Sequence, residues 1–178
     1  ELKELHAGIV SAADRYRCPL VGGDLTAWQG AGRLVVCVSM LSKPSDKPPV
    51  RRNGAKVGDA ICVTGSLGGS GLRKHLDFEP RVEEALEMVR IANVNAMMDI
   101  SDGLSTDLNR ICMQSGVGAL VEAAALPISD DAKTQADPLG AALNEGEDSE
   151  LLFTLSPDQW DRLRGQWRSV VPLTEIGR

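Results

Sequence analysis

The sequence predicts a mixed fold of helices and strands, of the α/β or the α+β class. Short apolar runs of strand length stand at 59–64, 96–100 and 151–155. Segments with apolar residues at helical spacing stand beside them, most clearly at 104–114 and 157–170. The sequence has no internal repeat and no low-complexity tract, so a solenoid or a disordered chain is not indicated.

The composition is that of a soluble globular protein, with 43% apolar and 25% charged residues among 178. The net charge is −6, and an acidic chain without a basic stripe is a poor candidate for binding nucleic acid. No apolar stretch approaches the ~20 residues that span a bilayer. The four cysteines form no C-x-x-C pair, and Cys37 and Cys62 lie in apolar runs. We therefore expect a cytoplasmic protein with reduced, buried thiols and no contact with membranes.

The first 50 residues predict a helix, a turn, a strand and a linker. Apolar residues at helical spacing predict an amphipathic helix over 1–17. A glycine-containing turn over 19–24 follows it. The continuous apolar run 34–41 is typical of a strand that is covered on both faces. The segment 42–49 contains three prolines, two lysines and two serines, so it is the best linker in the sequence.

The remainder alternates between strands and helices. A strand at 59–64 enters a glycine-rich loop at 65–71. The other predicted elements are helices at 81–94, 104–114, 139–144 and 157–170, and strands at 96–100, 118–123 and 151–155.

The most informative segment is 98–104, where a predicted strand ends and a helix begins. Asp99, Ser101 and Asp102 stand within four positions, and Gly103 opens the helix. Two carboxylates at such a corner repel a phosphate by themselves, but Mg²⁺ between them makes a phosphate site because it takes oxygen ligands from both sides. The alternative is that Ser101 or Asp102 only caps the helix, which on the local sequence is the more common arrangement.

Two further corners carry acidic residues. Gly22-Gly23-Asp24 places a carboxylate after two conformationally free glycines, and Glu147 stands in an acidic segment just before the strand at 151–155. Taken alone, a turn such as that of Asp24 is more often structural, and an acidic segment such as that of Glu147 is more often a solvated loop. The glycine-rich loop 65–71 matches neither G-x-x-x-x-G-K-[ST] nor G-x-G-x-x-G, so it indicates neither a P-loop nor a dinucleotide-binding fold.

Taken in order, these motifs resemble the thiamine-monophosphate kinase family, which belongs to the aminoimidazole ribonucleotide synthetase and selenophosphate synthetase superfamily. Each block is weak alone, but their order along nearly the whole chain is specific. The matching blocks are 22–26, 52–59, 63–70, 75–76 with 80–82, 99–104 with 107–108, 115–119, 126–127 and 146–151.

This resemblance implies ATP-dependent phosphorylation of thiamine monophosphate to thiamine diphosphate, with Mg²⁺ as the metal and ATP as co-substrate. It also implies a homodimer and an α+β fold. Residues 1–46 would be the C-terminal part of an N-terminal α/β ATP-binding domain. Residues 47–178 would be an α+β domain of the aminoimidazole ribonucleotide synthetase type.

The resemblance also implies roles for single residues. Asp24, Asp99 and Asp102 would be metal ligands, and Gly23, Asp24, Arg52 and Ser101 would contact ATP. Glu147 would face the thiamine substrate. No covalent catalytic residue is implied, because metal ions and positioning supply most of the catalysis in phosphoryl transfer.

The sequence departs from the family pattern in three places. The family's first section, with its Gly-Asp-Asp motif, has no counterpart before Glu1, so we expect residues 1–178 alone to be inactive. The connection from the glycine loop to His75 is short. Glu145 and Ser149 stand where glycine and an aromatic residue are common. The alternative function is therefore a non-catalytic or differently specific ATP-binding relative.

Overall fold

A computed structural model of the chain describes residues 2–27, 32, 34–43 and 48–178. The chain divides into two compact units, Glu1–Lys43 and Pro44–Arg178. The domain boundary predicted between residues 46 and 47 lies outside the described residues. Within the described ranges, no helix has the length and apolarity needed to cross a membrane.

The first unit contains helix α1, Leu2–Arg15, which confirms the helix predicted over 1–17. It ends in a Schellman arrangement. Arg17 adopts a left-handed φ of 54°, and the N–H of Cys18 donates to the carbonyl of Ala13 at 2.8 Å. This left-handed residue stops the helix because it breaks the run of right-handed dihedral angles.

The strand predicted over 34–41 is not formed. Among the described residues of the first unit, this segment has no strand pairing, and its apolar side chains are exposed, with Leu41 at 96%. A strand needs a hydrogen-bonded neighbour, and apolar character alone does not supply one. Cys37 is exposed with the rest of the segment, so the predicted burial of its thiol is also wrong.

The second unit is built on a four-stranded antiparallel sheet with the strand order β2-β3-β1-β4. β1 pairs with β3 and β4, and β2 pairs with β3, all in antiparallel orientation. Three of the four strands confirm the sequence prediction, and β4 was not predicted. The strands are β1 Ala60–Thr64, β2 Ala96–Ile100, β3 Glu150–Leu155 and β4 Leu173–Gly177.

Five α-helices are described in the second unit, and together with the antiparallel sheet they confirm the α+β class. Four of them were predicted, although α6 ends at Gln166 rather than at 170 because Trp167 leaves the helical backbone with ψ 132°. The helices are α2 Val82–Ile91, α3 Leu104–Ser115, α4 Asp130–Lys133, α5 Pro138–Asn144 and α6 Pro157–Gln166. Short 3₁₀ turns cover Ser70–Leu72, Lys74–Leu76 and Ala123–Ala125.

The strand predicted over 118–123 is reduced to one bridge, between Val121 and Gly177. Leu120 exchanges two backbone hydrogen bonds with Arg178, and the 3₁₀ turn Ala123–Ala125 follows directly. The turn bends the chain after too few pairs for a regular strand to form.

Both faces of the sheet are buried. On one face, Met98 and Ile100 of β2 lie in the same apolar cluster as Leu104, Leu108 and Ile111 of α3. On the other face, Phe153 packs with residues of α2 and α6. Because β2 and α3 share a core, the short connection between them is a fixed strand-to-helix corner.

Candidate functional site

The corner between β2 and α3 is organised by a buried carboxylate. Asp107 lies in the first turn of α3 and is 0% exposed. Its Oδ2 accepts the backbone N–H of Ser101 at 3.0 Å and that of Asp102 at 2.9 Å. Hydrogen bonds to an ionised acceptor are stronger than neutral ones, so Asp107 fixes the turn that carries Ser101 and Asp102.

Gly103 is the N-cap residue of α3 and has a φ of 100°. A Cβ at this position would lie 2.9 Å from the carbonyl oxygen of Asn144, so close approach and backbone conformation both require glycine. Among the described residues, no side chain caps α3, and Ser101 and Asp102 are exposed. The helix-cap alternative from the sequence is therefore wrong.

Arg110 joins Asp102 and Asp107, two of the carboxylates at this corner. Its Nη1 lies 2.7 Å from Oδ1 of Asp107 and forms an ion pair with Oδ2 of Asp102. The hydrogen bond with Asp102 raises the pKa of Arg110 above its ordinary value. An arginine guanidinium is in any case permanently charged in proteins. Asp107 and Arg110 were not among the site residues predicted from the sequence. Their spacing of three on a predicted helix was the available signal.

The loop that carries Glu147 is hydrogen-bonded onto the same corner. The N–H of Glu147 donates to the carbonyl of Ser101 at 2.9 Å, and the N–H of Ser149 donates to that of Ile100 at 3.0 Å. Glu147 and Ser149 have φ values of 65° and 55°. Left-handed backbone at residues other than glycine costs about 1–3 kcal/mol and is concentrated at functional sites. The structure thus brings Ser101, Asp102 and Glu147 together from distant parts of the sequence.

The glycine-rich loop donates to carboxylates of the protein itself. Asp148, which is 0% exposed, accepts the N–H of Gly68 at 2.9 Å and the hydroxyl of Ser70. Oε2 of Glu145 accepts the N–H of Gly69. Burial raises the pKa of Asp148, while the hydrogen bonds from Ser70 and Gly68 partly offset that rise. The loop therefore positions the acidic segment on either side of Glu147, and these donors are not turned toward a phosphate.

Glu150, at the start of β3, is a buried carboxylate that pairs with two cationic side chains. It is 1% exposed and accepts hydrogen bonds from Arg81 at 2.7 and 2.8 Å, from Lys74 at 2.8 Å and from Thr64 at 2.7 Å. Burial alone raises the pKa of Glu150, but the hydrogen bonds from Arg81 and Lys74 outweigh this and hold it below its ordinary value. This cluster ties the segment that follows the glycine loop to β3.

Arg52, a further predicted site residue of the second unit, lies apart from this corner. The backbone carbonyl of Arg52 accepts a hydrogen bond from Ser115, at the C-terminal end of α3, whereas Asp102 precedes the N-terminal end. Gly23 and Asp24 belong to the first unit, where they are exposed and Asp24 accepts the hydroxyl of Thr26 at 3.3 Å.

The described residues of this corner do not form a closed metal centre. They offer carboxylates for a metal ion whose remaining ligands would be water and phosphate oxygens. Among the described residues, no group of three or more His, Cys, Asp or Glu side chains is placed to hold a metal. Asp99 and Asp102 are exposed carboxylates, and Asp102 already holds a cationic group, the guanidinium of Arg110. Mg²⁺ commonly takes one or two protein carboxylates and completes its shell with water and phosphate oxygens. The donor set fits such an ion.

Residues 56–178 match the family described as AIR synthase related protein, C-terminal domain. Over 98% of its length the chain is 40% identical to the thiamine-monophosphate kinase of Rhodopirellula baltica. It also resembles the crystal structure of thiamine-monophosphate kinase from Stenotrophomonas maltophilia, with a TM-score of 0.66 and 35% identity over 72% of this chain and 49% of that one. A structure described as AaThiL complexed with AMPPCP and TMP has a TM-score of 0.57 and 32% identity, over 72% of this chain and 47% of that one.

The chain spans about half the length of the curated relatives that it matches. It covers 55% of the Rhodopirellula baltica protein and 61% of a thiamine-monophosphate kinase from Methanospirillum hungatei, to which it is 38% identical.

Proposed function

The chain belongs to the AIR synthase related family, in its thiamine-monophosphate kinase group, and from this membership we propose that the protein transfers the γ-phosphoryl group of ATP to thiamine monophosphate. The product is thiamine diphosphate. The observation that carries the proposal is the hydrogen bond from Glu147 to Ser101, which joins the proposed acceptor-binding loop to the proposed nucleotide-binding corner. A related structure described as a complex with AMPPCP and TMP supports this pair of ligands.

In this proposal Asp99 and Asp102 hold Mg²⁺, which neutralises charge on the phosphate oxygens when it is bound. Ser101 contacts the nucleotide from the same turn. Asp107 keeps Ser101 and Asp102 in place through their backbone N–H groups. Positioning and charge neutralisation supply most of the catalysis in phosphoryl transfer, so this chain needs to provide no covalent nucleophile.

Glu147 provides the acceptor side. Thiamine monophosphate contains a cationic thiazolium ring, and an opposite charge attracts it more strongly as water is excluded from the site. Glu147 is exposed and has a left-handed backbone. Its loop is anchored on both sides by the hydrogen bonds of Glu145 and Asp148. That anchoring favours a fixed carboxylate over a mobile one.

The departures from the family pattern are accommodated in the scaffold. Glu145 directs its carboxylate to the N–H of Gly69, and Ser149 donates its backbone N–H to Ile100. Both therefore support the loop around Glu147, which favours retention of the thiamine substrate over the differently specific or non-catalytic alternative.

We further propose that Gly23, Asp24 and Arg52 contact ATP, with Asp24 as an additional metal ligand, and that the protein is a cytoplasmic homodimer. The exposed apolar side chains of the first unit, such as Leu34, Val38 and Leu41, support a role of this segment in assembly. The acidic net charge favours small-molecule substrates over nucleic acid or membrane partners.

A coupled ADP-release assay on the complete protein tests the function. With ATP and Mg²⁺, we expect turnover with thiamine monophosphate and little with thiamine, and a large loss in Asp99→Asn. Asp161→Asn is the matched control, because Asp161 is an exposed carboxylate of α6 that pairs with Arg164. Turnover with another acceptor alone would favour changed specificity, and nucleotide binding without turnover would favour the non-catalytic alternative.

A further inference from the structure

Arg110 forms two ion pairs through one nitrogen, and the two partners differ in their surroundings. Asp107 is fully buried and also accepts two backbone N–H groups. Asp102 has a side chain that is 54% exposed, and that of Arg110 is 39% exposed. Exposed ion pairs are weak, whereas a buried carboxylate needs its partners. The contact with Asp102 is therefore the one that opens more readily.

The charges around the corner show what this contact does. Asp99, Asp102 and Glu147 are exposed carboxylates on adjoining segments, and like charges placed close together destabilise one another. Arg110 offsets part of this negative charge. A divalent cation bound at Asp102 would do the same, and the guanidinium and the metal would compete for one carboxylate.

We propose that Arg110 is a positioning residue that takes the place of the metal ion at Asp102 when no metal is bound, an inference that rests on the proposed function. Asp107 retains the guanidinium when Asp102 is released, so the exchange needs only a small movement of one side chain. The ion pair would keep Asp102 oriented before a metal ion binds. It also raises the metal concentration at which the site fills.

Binding of Mn²⁺ alone, measured by electron paramagnetic resonance on the complete protein without nucleotide, tests the proposal. Arg110→Gln removes the competing charge and should bind Mn²⁺ about fivefold more tightly, on the scale of one exposed ion pair. Arg110→Lys keeps a positive charge at this position, so its affinity for Mn²⁺ should remain near that of the wild type. Arg164→Gln, which removes an exposed Arg–Asp pair at the same spacing on α6, should leave the affinity unchanged. A purely structural role of Arg110 predicts weaker binding in Arg110→Gln, not tighter.

The Asp102→Asn background separates the possible failures. If Asp102→Asn weakens Mn²⁺ binding and cancels the gain from Arg110→Gln, the proposal is supported. If Asp102→Asn weakens Mn²⁺ binding but Arg110→Gln binds Mn²⁺ no more tightly than the wild type, the proposed exchange is wrong. The assignment of Asp102 as a metal ligand then stands. If Asp102→Asn leaves Mn²⁺ binding unchanged, the metal assignment at Asp102 fails, and the exchange fails with it.

Discussion

The backbone N–H of Glu147 donates to the carbonyl oxygen of Ser101 at 2.9 Å. This hydrogen bond joins two loops that are remote in the sequence, and a Cβ at Gly146 would lie 2.6 Å from the same oxygen. The acidic loop and the β2–α3 corner are thus packed directly against each other. The proposed nucleotide and acceptor sides of the site meet through this packing.

The buried carboxylate of Asp107 should be essential for stability. We expect Asp107→Ala to lower the free energy of unfolding by about 3–5 kcal/mol, because two backbone N–H groups and Arg110 lose a buried charged partner. Asp161→Ala on α6 removes an exposed partner at the same i,i+3 spacing and should cost less than about 1 kcal/mol. Urea unfolding of both variants measures the difference, and equal small losses would show that Asp107 does not organise the corner.

Gly103 should not tolerate a side chain. Its φ of 100° and the 2.9 Å approach to Asn144 predict that Gly103→Ala destabilises the protein by more than about 1 kcal/mol. Gly165 lies in α6 with open space around it, so Gly165→Ala should instead stabilise by about 0.5–1 kcal/mol. Thermal unfolding distinguishes the two, and a neutral Gly103→Ala would contradict the described turn.

Glu150 and Asp148 should affect acid stability in opposite directions. The pKa of Glu150 is lowered in the folded protein, so its contribution is present above the unfolded-state pKa, near 4.5, and is lost as the pH falls through the folded-state pKa. Glu150→Gln should therefore flatten the loss of stability on acidification.

The pKa of Asp148 is raised in the folded protein. Unlike that of Glu150, its contribution to the free energy of unfolding is therefore present at low pH and is lost as the pH rises through the folded-state pKa. Asp148→Asn should make the loss of stability on acidification steeper. Urea unfolding between pH 3 and pH 7 checks both variants, and slopes that change in the same direction would contradict the assigned pKa shifts.

The sequence predicted the parts of the fold that depend on local patterns. Short apolar runs located β1, β2 and β3, and apolar residues at helical spacing located α3 and α6. The unpredicted strand β4 contains polar residues and depends on pairing with β1. The run at 34–41 shows the converse, because strongly apolar residues did not form a strand without a partner.

The candidate site was predictable only in part for the same reason. Asp99, Ser101 and Asp102 lie in one segment and could be grouped from the sequence. The packing of Glu147 against Ser101, and the link from Asp107 through Arg110 to Asp102, are tertiary contacts. The local alternative of a helix cap also failed through tertiary packing, because the approach of Asn144 requires glycine at the cap position.

The most direct test of the account is calorimetric titration of the complete protein with Mg²⁺-AMPPCP and, separately, with thiamine monophosphate. We predict that Asp99→Asn weakens binding of the nucleotide by at least about tenfold, since the loss of one charge-assisted contact is worth about 1.5–3 kcal/mol. The same change should leave binding of thiamine monophosphate nearly unaffected. Glu147→Gln should weaken binding of thiamine monophosphate and leave binding of the nucleotide nearly unaffected. Thermal melts of both variants should stay near the wild type. Equal losses for both ligands in both variants would contradict the separation of nucleotide and acceptor sides at this corner.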